Sequence, residues 1–216
     1  MKIVGLIASL LVGFISSGQN SYYFSDPLMV TESNNVQVDS KYFGTYSSLD
    51  QPNHYEISAD GIFLISTNIS SISRETIRES SKYIVRNGFI LGVLKNDSVP
   101  CVLEGDSYFF GIQNKEIIVG LGSENILTKI DELGNYIINT YDNEAYIPMK
   151  ITFKNHQFHI AYFDYETDTK LFNFIKKQTS ALSENLNIVI LSPSEKETKR
   201  LFKNNLFGDT KIFNKI

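Results

Sequence analysis

Tryptophan is absent from the 216-residue chain, cysteine occurs once and histidine occurs three times. A single cysteine excludes an intramolecular disulfide framework and a zinc site built from two Cys-X-X-Cys motifs. The 24 acidic residues outnumber the 20 basic ones, and the resulting net charge of −4 disfavours nonspecific nucleic-acid binding. These absences exclude disulfide-stabilised miniproteins, zinc modules of that type and general nucleic-acid binders.

The residues that are present describe an ordinary folded domain. Hydrophobic residues make up 42% of the chain and charged residues 20%, which is too apolar and too weakly charged for intrinsic disorder. The length suffices for one domain with its own core, or for a domain with an appendage. The clearest excess is aromatic, with 12 tyrosines and 15 phenylalanines. Tyrosines that line a barrel would form an apolar cavity with a few hydroxyl groups, whereas the same side chains in a small barrel can also fill it.

Residues 1–18 have the pattern of a secretory signal peptide. A lysine precedes the apolar run from Ile3 to Ile15, and Ser16-Ser17-Gly18 supplies small residues before a predicted cleavage site at Gln19. The run is shorter than the roughly 20 residues that span a bilayer, and no cysteine follows it to carry a lipid anchor. We therefore expect a soluble periplasmic or secreted protein without a transmembrane span. Its richness in lysine, asparagine and isoleucine is typical of a low-GC bacterial genome.

Residues 41–163 are predicted to form a meander of short strands, after an irregular lead-in over residues 19–40. The close spacing of turn signals leaves no room for helical crossovers, so neighbouring strands should pair antiparallel. The pair Asn87-Gly88 is the clearest signal, because it tolerates the positive φ angles of a type I′ turn. The predicted turns lie at Asp60-Gly61, Asn87-Gly88, Asn96-Asp97, Gly105-Asp106, Asn114-Lys115, Gly134-Asn135 and Asn155-His156.

A repeated pattern places a glycine inside several of these strands. Residues 89–93, 108–112 and 117–121 each have three apolar residues, a glycine and another apolar residue, and Tyr42-Phe43-Gly44 is a shortened version. Glycine weakens a strand unless the strand bends sharply or another backbone approaches it. The repeat therefore predicts a strongly coiled sheet that closes into a small barrel. The alternative is a glycine-tolerant meander that repeats its own turns.

Two segments depart from the meander. Residues 71–81, SISRETIRESS, fit either a strand or a short polar helix, and we favour the strand because no capping box starts a helix there. Residues 164–216 are predicted to form an α/β extension packed outside the barrel. Its predicted elements are a helix around Leu171, Phe174 and Ile175, a strand over residues 187–191, a helix from Ser192 to about Asn205 and an edge strand over residues 211–216.

Two segments resemble a known family. Residues 39–46, DSKYFGTY, resemble the opening of a lipocalin, in which a glycine two residues before a tryptophan lies on the first strand; here Gly44 is followed by Tyr46 at the tryptophan position. Residues 55–63, YEISADGIF, resemble the second and third strands of lipocalin-like exported bacterial proteins, which often carry an Asp-Gly hairpin there. A helix after the meander fits this family as well. The resemblance implies a barrel architecture more than an activity, because a fold does not fix a function.

No catalytic, cofactor or metal site is predicted. The sequence contains no G-X-S-X-G elbow, phosphate loop or dinucleotide fingerprint. His156 and His159 are three residues apart, which places them on opposite sides of a strand, and His54 is interpreted as a solvated turn residue. Residues 164–168, DYETD, are not followed by the glycine and closing glutamate of a calcium loop. Cys101 is interpreted as a buried, inert thiol.

Two functions from different classes remain. The first is an exported, non-enzymatic protein whose lipocalin-like barrel binds a small apolar or amphipathic ligand through residues that the sequence does not identify. The second is an envelope protein–protein interaction module with a solid barrel, whose outer face or C-terminal helix docks a partner. A hydrolase or isomerase is least favoured, since no acid–base pair converges. Cavity volume distinguishes the first two, because a ligand site needs about 300 Å³ or more and a filled barrel leaves only water-sized voids.

Overall fold

The structure is a computed structural model that describes residues 19–30, 37–95, 97–142, 144–163, 169–183, 186–204 and 206–216. The predicted signal peptide and the turn residue Asn96 lie outside these ranges. The strands are β1 (Gln19–Phe24), β2 (Gly44–Ser48), β3 (Gln51–Ser58), β4 (Gly61–Ser73), β5 (Ile84–Arg86), β6 (Phe89–Leu94), β7 (Asp97–Glu104), β8 (Ser107–Gly120), β9 (Ile126–Lys129), β10 (Asn135–Asp142), β11 (Ala145–Lys154), β12 (Gln157–Phe163), β13 (Lys176–Ser183), β14 (Leu186–Ser192) and β15 (Phe207–Lys215). The helices are α1 (Arg74–Glu79) and α2 (Glu195–Lys203), and 3-10 turns occupy Ser40–Tyr42 and Thr169–Phe172.

The described residues form a mainly β, mostly antiparallel protein. Hydrogen bonding joins the strands in the order β13-β14-β1-β11-β12-β15-β2-β3-β4-β8-β7-β6-β5, and β10 pairs with both β11 and β9. The pairing of β1 with β14 is parallel. The predicted fold class is therefore confirmed as far as its strand content and strand direction.

Nine strands, in the order β9-β10-β11-β12-β15-β2-β3-β4-β8, form what we call the curled sheet. Its two ends share one core, which contains Val119 of β8 and Leu127 of β9. Asn125 bridges the ends, because its amide nitrogen donates to the carbonyl oxygen of Ile118 at 2.6 Å and its oxygen accepts from the backbone N–H of Tyr141 at 2.8 Å. Among the described residues no backbone pairing joins β8 to β9 or β10, so the sheet is curled but not closed.

Aromatic side chains fill one part of the curled sheet. The ring of Phe158 lies 5.2 Å from that of Phe153, 5.7 Å from Tyr46 and 5.1 Å from Tyr55, measured between centroids. Tyr46 is 2% exposed, and its hydroxyl donates to the carbonyl oxygen of Tyr42 at 2.8 Å. Tyr46 is thus a core residue whose polar atom has a partner.

A second core joins β1, β14 and α2. Phe24, Leu191 and Leu201 are completely buried in it. Helix α2 begins at the N-cap Ser194, whose side chain accepts from the backbone N–H of Glu197, while the Glu197 carboxylate accepts from the Ser194 backbone N–H at 2.7 Å. This reciprocal capping box, rather than one beginning at Ser192, starts the helix because Ser192 is still paired in β14.

Strands β4 and β8 continue past the curled sheet into a projection that we call the wing, residues 67–113. It contains the distal parts of β4 and β8, together with α1 and strands β5, β6 and β7. One face of this small sheet buries Ile90, Val99 and Phe110, against which Ile77 of α1 packs. The wing therefore has its own core.

Within the described ranges, all but one of the predicted turns are confirmed. The Asp60-Gly61, Asn87-Gly88, Gly105-Asp106, Gly134-Asn135 and Asn155-His156 signals all lie where strands reverse. The predicted turn at Asn114-Lys115 is wrong, because both residues pair within the long β4–β8 ladder, opposite Ser66 and Ile65. The strand favoured over residues 71–81 is also wrong after Ser73. A single N-cap bond from the Thr76 N–H to the Ser73 hydroxyl at 3.0 Å starts α1 without a full capping box.

The terminal segments differ most from expectation. The lead-in over residues 19–40 was predicted to be irregular, yet it contains β1, whose parallel partner β14 is more than 160 positions later in the chain. The predicted helix around Leu171 is a 3-10 turn followed by β13. The backbone bonds here join residues three apart, from the Asn173 N–H to the Lys170 carbonyl oxygen and from the Ile175 N–H to the Phe172 carbonyl oxygen. The predicted strand over residues 211–216 is present as β15, but it lies between β12 and β2 rather than at an edge. Strands β13, β14 and β15 of the C-terminal region therefore belong to the same sheet as the meander.

Candidate ligand cavity

A cavity of about 500 Å³ opens at one end of the curled sheet. Leu64 of β4 and Met149 of β11 line it from opposite sides, and both also pack against the main core. Tyr22 and Tyr23 of β1 also line the cavity. Tyr55 of β3 lines it as well and contacts the aromatic core through Phe158. The wall is predominantly apolar, with tyrosine hydroxyls as its main polar groups.

Strand register explains why these side chains share one face. Tyr55 lies opposite Leu64, and Leu64 lies opposite Glu116, so the three form a row across β3, β4 and β8. On the other wall, Met149 lies opposite Tyr162. Directly opposed residues point to the same side of a sheet. The curl then brings the two rows to face each other across the cavity.

The Tyr55 hydroxyl, at the inner end of the cavity, is held in its neutral form. Burial raises the pKa of the Tyr55 hydroxyl well above its usual value, and the neighbouring Tyr162 hydroxyl, which is hydrogen bonded to it, and the Glu116 carboxylate raise it further. Tyr55 is therefore a neutral hydrogen-bonding group at neutral pH. Glu116 is the only charged side chain among the described residues that line the cavity. At the rim, the ammonium of Lys211 lies 5.3 Å from the centroid of the Tyr162 ring.

A second cavity, of about 480 Å³, lies at the other end of β3 and β4. The β3–β4 turn and the segment after β8 line it, including Ala59, Asp60 and Ser123. Gly61 and Gly120 approach each other closely at this end. Turn backbone and acidic side chains make this wall more polar than that of the first cavity, so the first cavity is the better candidate for an apolar ligand.

The three histidines do not converge. His156 lies in the β11–β12 turn with a φ of +60°, and His159 lies on β12, where its Nε2 is 3.2 Å from the Gln157 side-chain oxygen. Burial, with a smaller contribution from Lys154, lowers the pKa of His159. His54 is half-buried within β3, opposite Ile65 and Ser47, so its interpretation as a turn residue is wrong.

The remaining residues singled out in the sequence have structural surroundings. Cys101 lies on β7 against the core of the wing, and burial raises the pKa of its thiol, which disfavours the reactive thiolate. The acidic segment 164–168 lies outside the described residues. Across the described ranges, no group of three or more His, Cys, Asp or Glu side chains is arranged to hold a metal ion.

Sequence reasoning did not identify Leu64, Glu116, Met149 or Tyr162 as cavity residues. The excess of tyrosine predicted aromatic side chains that either line a cavity or fill the interior, but not which tyrosines reach the cavity wall. The missing information is the long-range register that places β4 and β8 opposite β11 and β12. Alternating apolar residues in residues 145–154 and 157–163 mark one face of each strand, and that was the available signal.

No protein-family model matches the chain, and neither a curated protein sequence nor a solved structure matches it. In the part of the chain that the structure describes, no helix has both the length and the apolar character needed to cross a membrane.

Proposed function

We propose that this protein binds a small apolar or amphipathic ligand in the cavity between Leu64 and Met149. The observation that carries the proposal is the cavity volume of about 500 Å³, which exceeds the roughly 300 Å³ that a small-molecule site requires. Apolar walls supply affinity by removing ligand surface from water, and a few hydroxyl groups fix its orientation. The Tyr55 and Tyr162 hydroxyls are placed for that second role.

The curled sheet serves in this proposal as a lipocalin-like barrel. Support comes from the core shared by its two end strands and from the Asn125 side chain, which hydrogen bonds to both β8 and β10. The segment around Gly44 and Tyr46 supplies the family resemblance. A barrel of this kind would act by holding its ligand, without a cofactor or a covalent step.

Export is the second part of the proposal. The apolar run and small residues in residues 1–18 support removal of a signal peptide and function in the periplasm or outside the cell. A carrier of apolar molecules is useful in such an aqueous compartment, where its ligand alone is poorly soluble.

The charge of the cavity narrows the ligand class. Glu116 is the one charged group on the described wall, and the raised pKa of Tyr55 keeps that hydroxyl from adding a second negative charge. A neutral or cationic ligand avoids repulsion from Glu116, whereas an anionic one does not. The proposed ligand is therefore a neutral or cationic amphiphile with an apolar body.

Titration with the neutral apolar dye Nile red tests this function. We expect saturable binding to the wild-type protein and at least about a tenfold loss of affinity, or about 1.4 kcal/mol, in Met149→Trp, whose larger side chain fills the cavity. Ala59→Trp, which adds the same ring at the second cavity, is the matched control and should bind as wild type. Circular dichroism checks that both variants fold. Equal affinities in the wild type and Met149→Trp would contradict the proposal.

Protein–protein interaction is a second candidate function, and a different observation favours it. The wing carries apolar side chains on the face opposite its own core, including Ile69 and Val102, which are 78% and 70% exposed. Soluble monomers rarely leave large contiguous apolar patches facing water. This candidate does not depend on whether the cavity holds a ligand.

A further inference from the structure

The strand register assembles one apolar surface on the wing, which we call the outer face. Val102 of β7 lies opposite Phe109 of β8, and Phe89 of β6 lies opposite Pro100 of β7. Each of these pairs alternates with core residues such as Phe110 and Ile90, so the pairs point away from the core. The apolar residues of the outer face are Ile69, Ile84, Phe89, Leu91, Pro100, Val102 and Phe109.

The outer face exposes as much apolar surface as the largest patches found on typical monomers. Six of its side chains are between 37% and 78% exposed, the least exposed being Phe109 and the most exposed Ile69. Together they present on the order of 600 Å², at the top of the range of about 300–600 Å² for the largest apolar patch of a typical monomer. On the opposite face of the same sheet Ile77 of α1 packs against the core of the wing, whereas among the described residues these six side chains of the outer face remain exposed.

The area and the charge of the outer face fit a second copy of the same chain. Two outer faces packed together would bury roughly 1,200 Å², which is the lower limit for a specific protein–protein interface. The charged residues of its rows, Arg86 and Glu104, lie on β5 and at the end of β7, so the apolar centre has no like charges to oppose each other. Sheets stack face to face readily at a spacing of about 10 Å. A two-fold pairing uses the same patch on both partners and closes without leaving a free surface.

Charge argues against a membrane as the occupant. The chain is acidic overall, with a net charge of −4, and Arg86 is the only basic residue in the cross-strand rows of the outer face. A surface that binds anionic lipid normally surrounds its apolar centre with several lysines and arginines.

We propose that two copies of this protein form a two-fold dimer through the outer faces of their wings. The inference rests on the second candidate function and names its partner. Dimerisation follows mass action, so the share of dimer rises with protein concentration. The cavity of the curled sheet remains open in each copy.

Sedimentation velocity between about 1 and 200 μM tests the dimer, since mass action separates the two species over such a range. We expect the wild type to shift from monomer to dimer, and Val102→Glu and Ile69→Glu each to weaken association by at least about tenfold. Both sites are exposed, so the variants should retain the wild-type circular dichroism spectrum. Leu133→Glu, in the β9–β10 turn and 78% exposed, is the matched control and should dimerise normally.

A wild type that stays monomeric at the highest concentration overturns the proposal. A dimer that persists in Val102→Glu and Ile69→Glu overturns it too, because the interface then lies elsewhere. A monomer that binds vesicles of phosphatidylglycerol through Val102 identifies a membrane instead. A monomer that loses a cross-linked envelope partner upon Val102→Glu overturns the dimer while leaving the wider interaction function intact.

Discussion

We expect Tyr136, in the core of the curled sheet, to make the free energy of unfolding depend on pH. The residue is completely buried, and burial raises the pKa of its hydroxyl to about 12, although the hydrogen bond from the Asp39 backbone N–H partly opposes this rise. The unfolded chain releases the same proton near pH 10. Between about pH 10 and 12 the unfolded state therefore binds fewer protons than the folded state, so the free energy of unfolding falls as the pH rises.

Urea denaturation at several alkaline pH values measures this effect. We expect Tyr136→Phe to show a shallower loss of stability with pH than the wild type, because the variant has no hydroxyl to ionise in either state. Tyr141→Phe, at a position that is 39% exposed, is the control and should follow the wild-type slope. Parallel slopes for wild type and Tyr136→Phe would show that this hydroxyl does not carry the pH dependence.

Gly61 and Gly120 permit the close approach of β4 and the end of β8. A Cβ added to Gly61 would lie 2.2 Å from the carbonyl oxygen of Val119, and the φ of Gly61 is +143°. Gly88 also has a positive φ, of +78°, but a Cβ there would meet nothing within 4 Å. An added Cβ would meet steric overlap only at Gly61, whereas both positions have a positive φ. Comparing the two variants therefore distinguishes the effect of overlap from the effect of backbone strain.

The expected order of stability follows from this difference. Gly61→Ala should lower the free energy of unfolding by about 3 kcal/mol or more, while Gly88→Ala should lower it by about 1–2 kcal/mol, the strain of a left-handed residue. Urea denaturation at neutral pH measures both. Equal losses of unfolding free energy in the two variants would show that the close approach of the Val119 backbone is not the reason for glycine at position 61.

At the scale of elements, Asn139 holds the segment after β1 against the curled sheet. The residue is completely buried on β10, its side-chain oxygen accepts from the Leu28 N–H at 2.8 Å and its amide donates to the Leu28 carbonyl oxygen at 3.1 Å. Leucine has a similar size but cannot form either bond. Asn139→Leu therefore leaves two buried backbone groups of Leu28 without these bonds, at a cost of about 2 kcal/mol or more.

Limited proteolysis and urea denaturation check that contact together. We expect Asn139→Leu to lose stability and to be cut faster within residues 25–30, while Asn114→Leu, at an exposed position of β8, behaves as wild type. Unchanged cleavage in Asn139→Leu would mean that the segment is held by its other contacts, such as the burial of the Leu28 side chain.

The elements that sequence predicts well are those defined by local chemistry. Asn87 and Gly88 adopt φ angles of +53° and +78°, as their turn requires. The helix predicted after β14 is present as α2, although its N-cap is Ser194 with Glu197 rather than the predicted Ser192 with Glu195. The segment that forms β1 was predicted to be irregular, and β15 was predicted as a strand but at the edge of the sheet. Both errors arise because the partner strands are distant in the chain. A short strand has the same sequence pattern whether it lies at the edge of a sheet or between two other strands. Only its pairing with distant strands distinguishes the two positions.

At the scale of the whole molecule, the same limit applies to the candidate site. The aromatic composition and the segment around Gly44 are local properties, and they predicted a coiled sheet with tyrosines in its interior. The cavity itself arises where β3, β4 and β8 face β11 and β12. These two groups of strands are distant in the chain, so local sequence does not show that they meet. Glu116 illustrates the difference, since its sequence context is an unremarkable charged stretch and its register with Leu64 places it on the cavity wall.

Native mass spectrometry of the protein purified from the cells that produce it, or from their culture medium, tests the central claim most directly. We expect a fraction of the wild-type protein to carry an additional mass of about 200–500 Da, the size that fits a cavity of this class. The added mass should disappear in Met149→Trp and persist in Ala59→Trp. A wild-type protein that carries no small molecule and does not take up Nile red would contradict a ligand-binding function for this cavity.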